Sequence, residues 1–86
     1  MPEVSRFYGI VFKIYLNDHP PPHFHAIYGK ETAKFDIDTL EVIVGELPNR
    51  ATKLVKEWAA LHQDELREAF ERAANLQQPG KIDPLL

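Results

Sequence analysis

Three of the four histidines and three of the seven prolines of this 86-residue chain fall in one stretch, Asp18-His19-Pro20-Pro21-Pro22-His23-Phe24-His25-Ala26. Imidazole titrates near neutrality and is a common metal ligand, so this stretch concentrates groups that can move a proton, hold an ion or bind a phosphate. His23 and His25 are two apart. On a strand they share a face, with Cα atoms ~6.5–7 Å apart. Two imidazoles so placed can converge on one divalent ion such as Zn or Mn. They can also act as general base and general acid on either side of a phosphodiester. A metal needs a third ligand. His19 or Asp18 can swing back from the loop, with His62 a more distant candidate. In the acid–base version, Asp18 and His19 orient the pair. The plain alternative is a set of packed or partner-binding histidines. For His19 alone, and for His62, a structural role is the preferred reading.

Other residues carry weaker signals. Asp36 and Asp38 also lie two apart and can join the histidines around an ion; a solvated outer face is the simpler reading. Lys13, Lys30, Lys34 and Tyr15 form a candidate phosphate-contacting face. Arg50 and Lys53 fall in the first turn of an expected helix, where backbone amides also attract anions. Lys13 and Arg50 are the residues expected to hold a phosphate. Trp58 reads as the main core anchor. The sequence has no His-Glu-x-x-His pair, Gly-rich phosphate loop or nucleophile elbow.

The elements that must position these groups follow from periodicity. Gly9 to Leu16 alternates, with Ile10, Phe12, Ile14 and Leu16 on one side, and reads as a strand. The three prolines hold an extended loop. His23 to Tyr28, Thr32 to Asp38 and Leu40 to Val44 read as three further strands, the last with Leu40, Val42 and Val44 inward. Gly29-Lys30 marks a tight turn. Short connections predict a four-stranded antiparallel meander. From Asn49 the apolar period becomes 3.6, through Ala51, Leu54, Val55, Trp58, Leu61, Leu66, Ala69, Phe70, Ala73 and Leu76. One long helix to about Gln77 is expected; the alternative is a break near His62-Gln63-Asp64, with Asp64 capping a second helix. An unbroken helix would run roughly 43 Å. It would overhang the sheet and leave Phe70 and Leu76 in need of a partner, unless it folds back. Pro79 to Leu86 reads as an irregular arm. The expected class is α+β, in one domain covering residues 1–86.

The formal net charge of −3 argues against nucleic-acid binding through bulk charge, though not against a local basic patch. No cysteine is present, so disulfides and thiolate metal sites are excluded. No apolar run is long enough to span a bilayer. The first residues, Met1 to Arg6, are too polar for a secretory signal, so a cytoplasmic location is expected.

The segments Phe7-Tyr8-Gly9-Ile10, Asn17 to Ala26, Ile37 to Val42, Gly45 to Pro48 and Glu57 to His62 resemble the small bacterial family filed as domain of unknown function 4160. The Ile82-Asp83-Pro84-Leu85 arm fits as well. Pro20 fills the motif's variable position, and Lys13 stands where the family pattern suggests an apolar or aromatic residue. The resemblance implies no established activity. It implies genomic pairing with a second small family, domain of unknown function 2442, as in prokaryotic toxin–antitoxin modules.

The preferred functional reading is therefore a cytoplasmic prokaryotic protein that works through a small protein partner or as a homodimer. It would be one half of a toxin–antitoxin-like pair, with His23 and His25 available for nuclease or phosphate chemistry on RNA. The alternatives are a metal-binding protein or metal-dependent hydrolase using His19, His23 and His25, and a non-enzymatic interaction module.

Overall fold

The computed structural model describes residues 3–85. Met1, Pro2 and Leu86, the outermost residues of the two expected terminal segments, lie outside that range. The strands are β1 (Glu3–Phe7), β2 (Ile10–Lys13), β3 (His23–Tyr28), β4 (Glu31–Asp36) and β5 (Val42–Gly45). Two helices follow, α1 (Asn49–Leu61) and α2 (Gln63–Ala74). The strands form one antiparallel meander in the order β1-β2-β3-β4-β5. The class is α+β as expected, but the sheet has five strands rather than four.

β1 is the strand that periodicity did not reveal. It joins β2 through Tyr8 and Gly9, whose φ angles are 48° and 78°. Two successive positive φ values make the primed hairpin turn that matches strand twist. Gly29 opens the β3–β4 turn with φ 61°, the role expected of it.

One face of the sheet is apolar and buried. Ile10, Phe12, Phe24, Ala26, Ala33 and Phe35 line it. α1 packs there, and Trp58 stands at the centre. Its ring centroid lies 4.3 Å from that of Phe12, 5.7 Å from Phe7 and 5.9 Å from Phe24. An aromatic side chain of this kind buries ~150–250 Å². At ~25 cal/mol per Å² that is roughly 4–6 kcal/mol of transfer free energy, before the entropy of ordering is subtracted. The indole N–H donates to the Asp83 carbonyl at 2.8 Å. The arm after α2 is thereby tied to the core, as is Ile82, whose amide donates to the Val4 carbonyl at 2.7 Å.

The single long helix is overturned. α1 ends at Leu61, and α2 starts at Gln63 after His62, whose φ of −125° takes it out of the helix. Asp64 sits in the first turn of α2 but is not the cap; His62 occupies that position, without a side-chain capping bond. The bend turns Leu66, Ala69, Phe70 and Ala73 onto the end of the sheet, where they are buried. Gln63 Nε2 donates to the Ile37 and Asp38 carbonyls, and Arg67 pairs with Asp38. The longest dimension of the molecule is 33 Å, too short for the expected rod. Burial explains the outcome: a straight helix would strand Phe70 in water, whereas the bent one leaves it 7% exposed. Leu76, past the helix end, does stay exposed.

β5 also departs from expectation. Val42, Ile43 and Val44 are all exposed, although Val42 and Val44 read as inward. β5 is the edge strand, and its pairing with β4 shifts register between Lys34 and Phe35. The irregularity puts Val44 opposite Lys34, on the sheet face away from α1.

Candidate functional site

The His-containing strand β3 lies in the middle of the sheet. His23 and His25 point away from the Phe24 side, towards the open face. The loop between β2 and β3 folds back over them. Asn17, at φ 58°, makes the turn, and its amide donates to the Ala73 carbonyl at the end of α2 at 2.8 Å. Asp18 is thereby placed over the two histidines. Its Oδ1 accepts from the His19 amide at 2.9 Å, which orients the carboxylate. The Pro20–Pro21 bond is cis.

His23 is buried, with both ring nitrogens engaged. Nδ1 lies 2.7 Å from the Pro21 carbonyl oxygen, and Nε2 lies 2.8 Å from Oδ2 of Asp18. A carbonyl oxygen only accepts, so Nδ1 carries a proton and donates it. In neutral imidazole that leaves a bare lone pair on Nε2. Facing it is a carboxylate oxygen, which also only accepts. A proton or a metal ion must lie between them. The Phe70 ring covers the outer side of His23, with centroids 5.4 Å apart.

His25 is half-buried, and its Nε2 lies 3.4 Å from the same Oδ2 of Asp18. The His23 and His25 rings meet edge to face at 5.1 Å, and the Tyr15 ring stands against His25 at 4.7 Å. Burial pulls the Asp18 carboxyl upward, but the His19 amide and the histidine rings outweigh it, so its pKa lies below the ordinary carboxylate value. Burial lowers the His25 pKa below the ordinary histidine value, against the opposing pull of Asp18. One ligand atom each from Asp18, His23 and His25 can be chosen so that all lie within 4.8 Å of one another.

The structure thus brings together three of the expected residues and leaves the others apart. His19 contributes its backbone amide, and its side chain is not in the cluster. His62 pairs with Glu65 at the bend between the helices and packs on Trp58. Asp36 accepts from the Asp38 and Thr39 amides, and Asp38 binds Arg67, so both have structural work. Arg50 lines a separate cleft of about 260 Å³ with Tyr8, Ile10, Tyr28, Pro48, Ala51 and Leu54. Lys13 is different: it lies in register beside His25, as does Lys34 from the other side. Phe70 is the site neighbour that sequence reasoning left unassigned to this place.

Among the described residues, no helix is long and apolar enough to cross a membrane. No curated protein and no solved structure is detectably similar to the chain. Residues 9–71 match the family described as Domain of unknown function (DUF4160), which takes in the cluster and both helices nearly to the end of α2 but neither β1 nor the C-terminal arm. The chain belongs to that family.

Proposed function

We propose that Asp18, His23 and His25 bind one divalent transition metal of the zinc or manganese class, with a coordination position left open towards the uncovered sheet face. The carrying observation is the hydrogen-bond accounting at His23. A metal-ligating histidine typically donates its other ring N–H to a carbonyl or carboxylate, which fixes the tautomer and aims the free lone pair. The Pro21 carbonyl does this for His23. The spacing comes close, the Asp18–His23 contact being shorter than an ion would leave it. Ligands ~2.0–2.1 Å from a tetrahedral ion stand roughly 3.3 Å apart. Oδ2 of Asp18 lies 2.8 Å and 3.4 Å from the two Nε2 atoms. Three protein ligands with a fourth position free is the pattern of a catalytic rather than a structural centre.

A second reading rests on the 2.8 Å separation itself, which is also a normal length for an imidazolium–carboxylate hydrogen bond. In that case a proton fills the place of the metal, and Asp18 and His23 form an ion pair beneath His25. Either way His23 is buried with both nitrogens engaged, so it is a poor acid or base for an external phosphodiester. This weakens a two-histidine nuclease and favours His25 as the group that meets a ligand. Action through a small protein partner or a second copy is compatible with both readings. The open apolar edge of β5 supports it.

The deciding experiment is elemental analysis of untagged protein after zinc reconstitution and gel filtration. One zinc per chain, lost in His25→Ala while the circular dichroism spectrum is kept, supports the centre. His25 is half-buried, so its removal spares the core. Folded protein that emerges without metal overturns the reading and leaves the protonated ion pair.

A further inference from the structure

Across the open face, His25 is flanked on both sides. The register sets it opposite Lys13 on β2 and opposite Lys34 on β4. Residues directly opposite in an antiparallel pair share a face, with Cβ atoms ~4.5–5.5 Å apart. The three side chains therefore form one row, Lys13–His25–Lys34, with the Asp18–His23–His25 cluster at its middle. Among the described residues neither lysine is in an ion pair. Glu3, opposite Lys13, is held by Arg6 through both carboxylate oxygens. Both lysines are half-buried.

Charge then selects the ligand. A divalent ion held by Asp18 and two neutral histidines keeps one net positive charge, and the register sets a lysine on either side of His25. This local excess sits on a chain whose formal net charge is −3. A monoanionic carboxylate would leave both ammoniums unmatched once it bound the metal. A phosphate monoester carries close to two negative charges and three free oxygens. It can place one oxygen on the metal and one towards each lysine. Resting on the metal reading above, we propose that this centre takes a phosphate-monoester-class dianion, bound through the metal and clamped between Lys13 and Lys34. The row is two strand spacings wide, so the phosphate enters across the sheet and its organic group extends over Val11 and Ile27 or past Tyr15.

The test uses the full chain loaded with zinc, its stoichiometry measured first. Phenyl phosphate, inorganic phosphate, dimethyl phosphate and acetate are titrated by calorimetry. Phenyl phosphate and inorganic phosphate are expected to bind at least about tenfold more tightly than dimethyl phosphate or acetate. Their relative order tells whether an ester or the free ion is preferred. In Lys13→Gln/Lys34→Gln, zinc stoichiometry stays at the wild-type level while dianion affinity falls at least about tenfold. Unchanged dianion affinity in that variant overturns the clamp, as does acetate binding as tightly as phosphate. Equal phosphate binding by zinc-free protein overturns the metal-bound form. Failure to take up zinc is seen before any anion is added; it refutes the centre itself and this assignment with it.

Discussion

The ring of Phe70 on α2 lies over the ring of His23 on β3, with centroids 5.4 Å apart. The bend at His62 is what brings the two together. Helix packing and the histidine cluster are therefore parts of one arrangement, and damage to the first should be felt by the second. Phe70→Ala is expected to cost about 3–5 kcal/mol, the usual range for emptying a buried phenylalanine site. Zinc affinity should fall with it, because His23 loses the wall that holds its ring. Phe70→Leu should recover most of both. Urea unfolding and a competitive zinc titration on the three proteins check this; wild-type zinc affinity in a destabilised Phe70→Ala would show that the ring does not position His23.

Asp18→Asn keeps the shape of the loop and removes the charge that bridges both histidines. Its zinc affinity is expected to drop by more than about 100-fold, beyond the range for outer-shell partners. A ligand that binds only the folded state at 100 times its Kd adds ~2.7 kcal/mol of stability. Added zinc should therefore raise the Tm of the wild type and leave that of Asp18→Asn where it was. An equal shift in both proteins would remove Asp18 from the ligand set.

Gly45→Ala tests the open edge of the sheet. Gly45 has φ 86°, and a Cβ there would stand 2.2 Å from the Thr32 carbonyl oxygen. The backbone region alone costs a non-glycine residue ~1–3 kcal/mol, and the clash forces β5 to move as well. We expect a lower Tm and faster amide exchange confined to β4 and β5. Stability within error of wild type would mean that β5 is not held at this register.

In the metal-free protein the His25 contribution to stability should be lost in mild acid. The folded pKa of His25 lies below its ordinary value of 6.5, and that of Asp18 below 3.8. Both groups hold fewer protons folded than unfolded, so their contributions are complete at high pH and are lost as pH falls. The His25 part is lost as pH drops below ~6.5 towards its folded value, and the Asp18 part only below ~4. In chelated samples scanned from about pH 7 to pH 5, the wild-type Tm should decline more steeply than that of His25→Gln. Parallel curves would sink the assignment.

Much of this was legible in the sequence, and the failures have physical causes. β3 was readable to the residue because His23 to Tyr28 alternates without interruption in a central strand. β1 was hidden by an irregularity between Glu3 and Ser5. It leaves Val4 and Ser5 both buried, which erases the period of two. β5 looked inward-facing because its apolar run was assumed to have a covered side; composition does not say which strand ends up at the edge. The bend between the helices did leave a trace. The widest step between successive apolar positions is a five, from Leu61 to Leu66, where the others are three or less, and His62 lies inside that gap. His23, His25 and Asp18 were all named as candidates, but whether Asp18 or His19 would swing back was left open. The approach of Asp18 depends on the left-handed turn at Asn17 and its bond to Ala73, which no local pattern encodes.

The two edges of the sheet are not equivalent. β1 carries an irregularity, the Arg6–Glu3 pair and the arm whose Ile82 amide caps the Val4 carbonyl. These are devices that block further pairing. β5 carries a register shift of its own at Ile43, but shows Val42, Ile43 and Val44 with neither an ion pair nor a covering arm on them among the described residues. A sheet that can be extended on one side only accepts a single additional strand and then stops. Association through such an edge would terminate at a pair, whereas two receptive edges would permit growth from molecule to molecule. In polymer terms the arm after α2 is a chain stopper on the β1 side: a second copy pairing at β5 would find no further edge there to extend from.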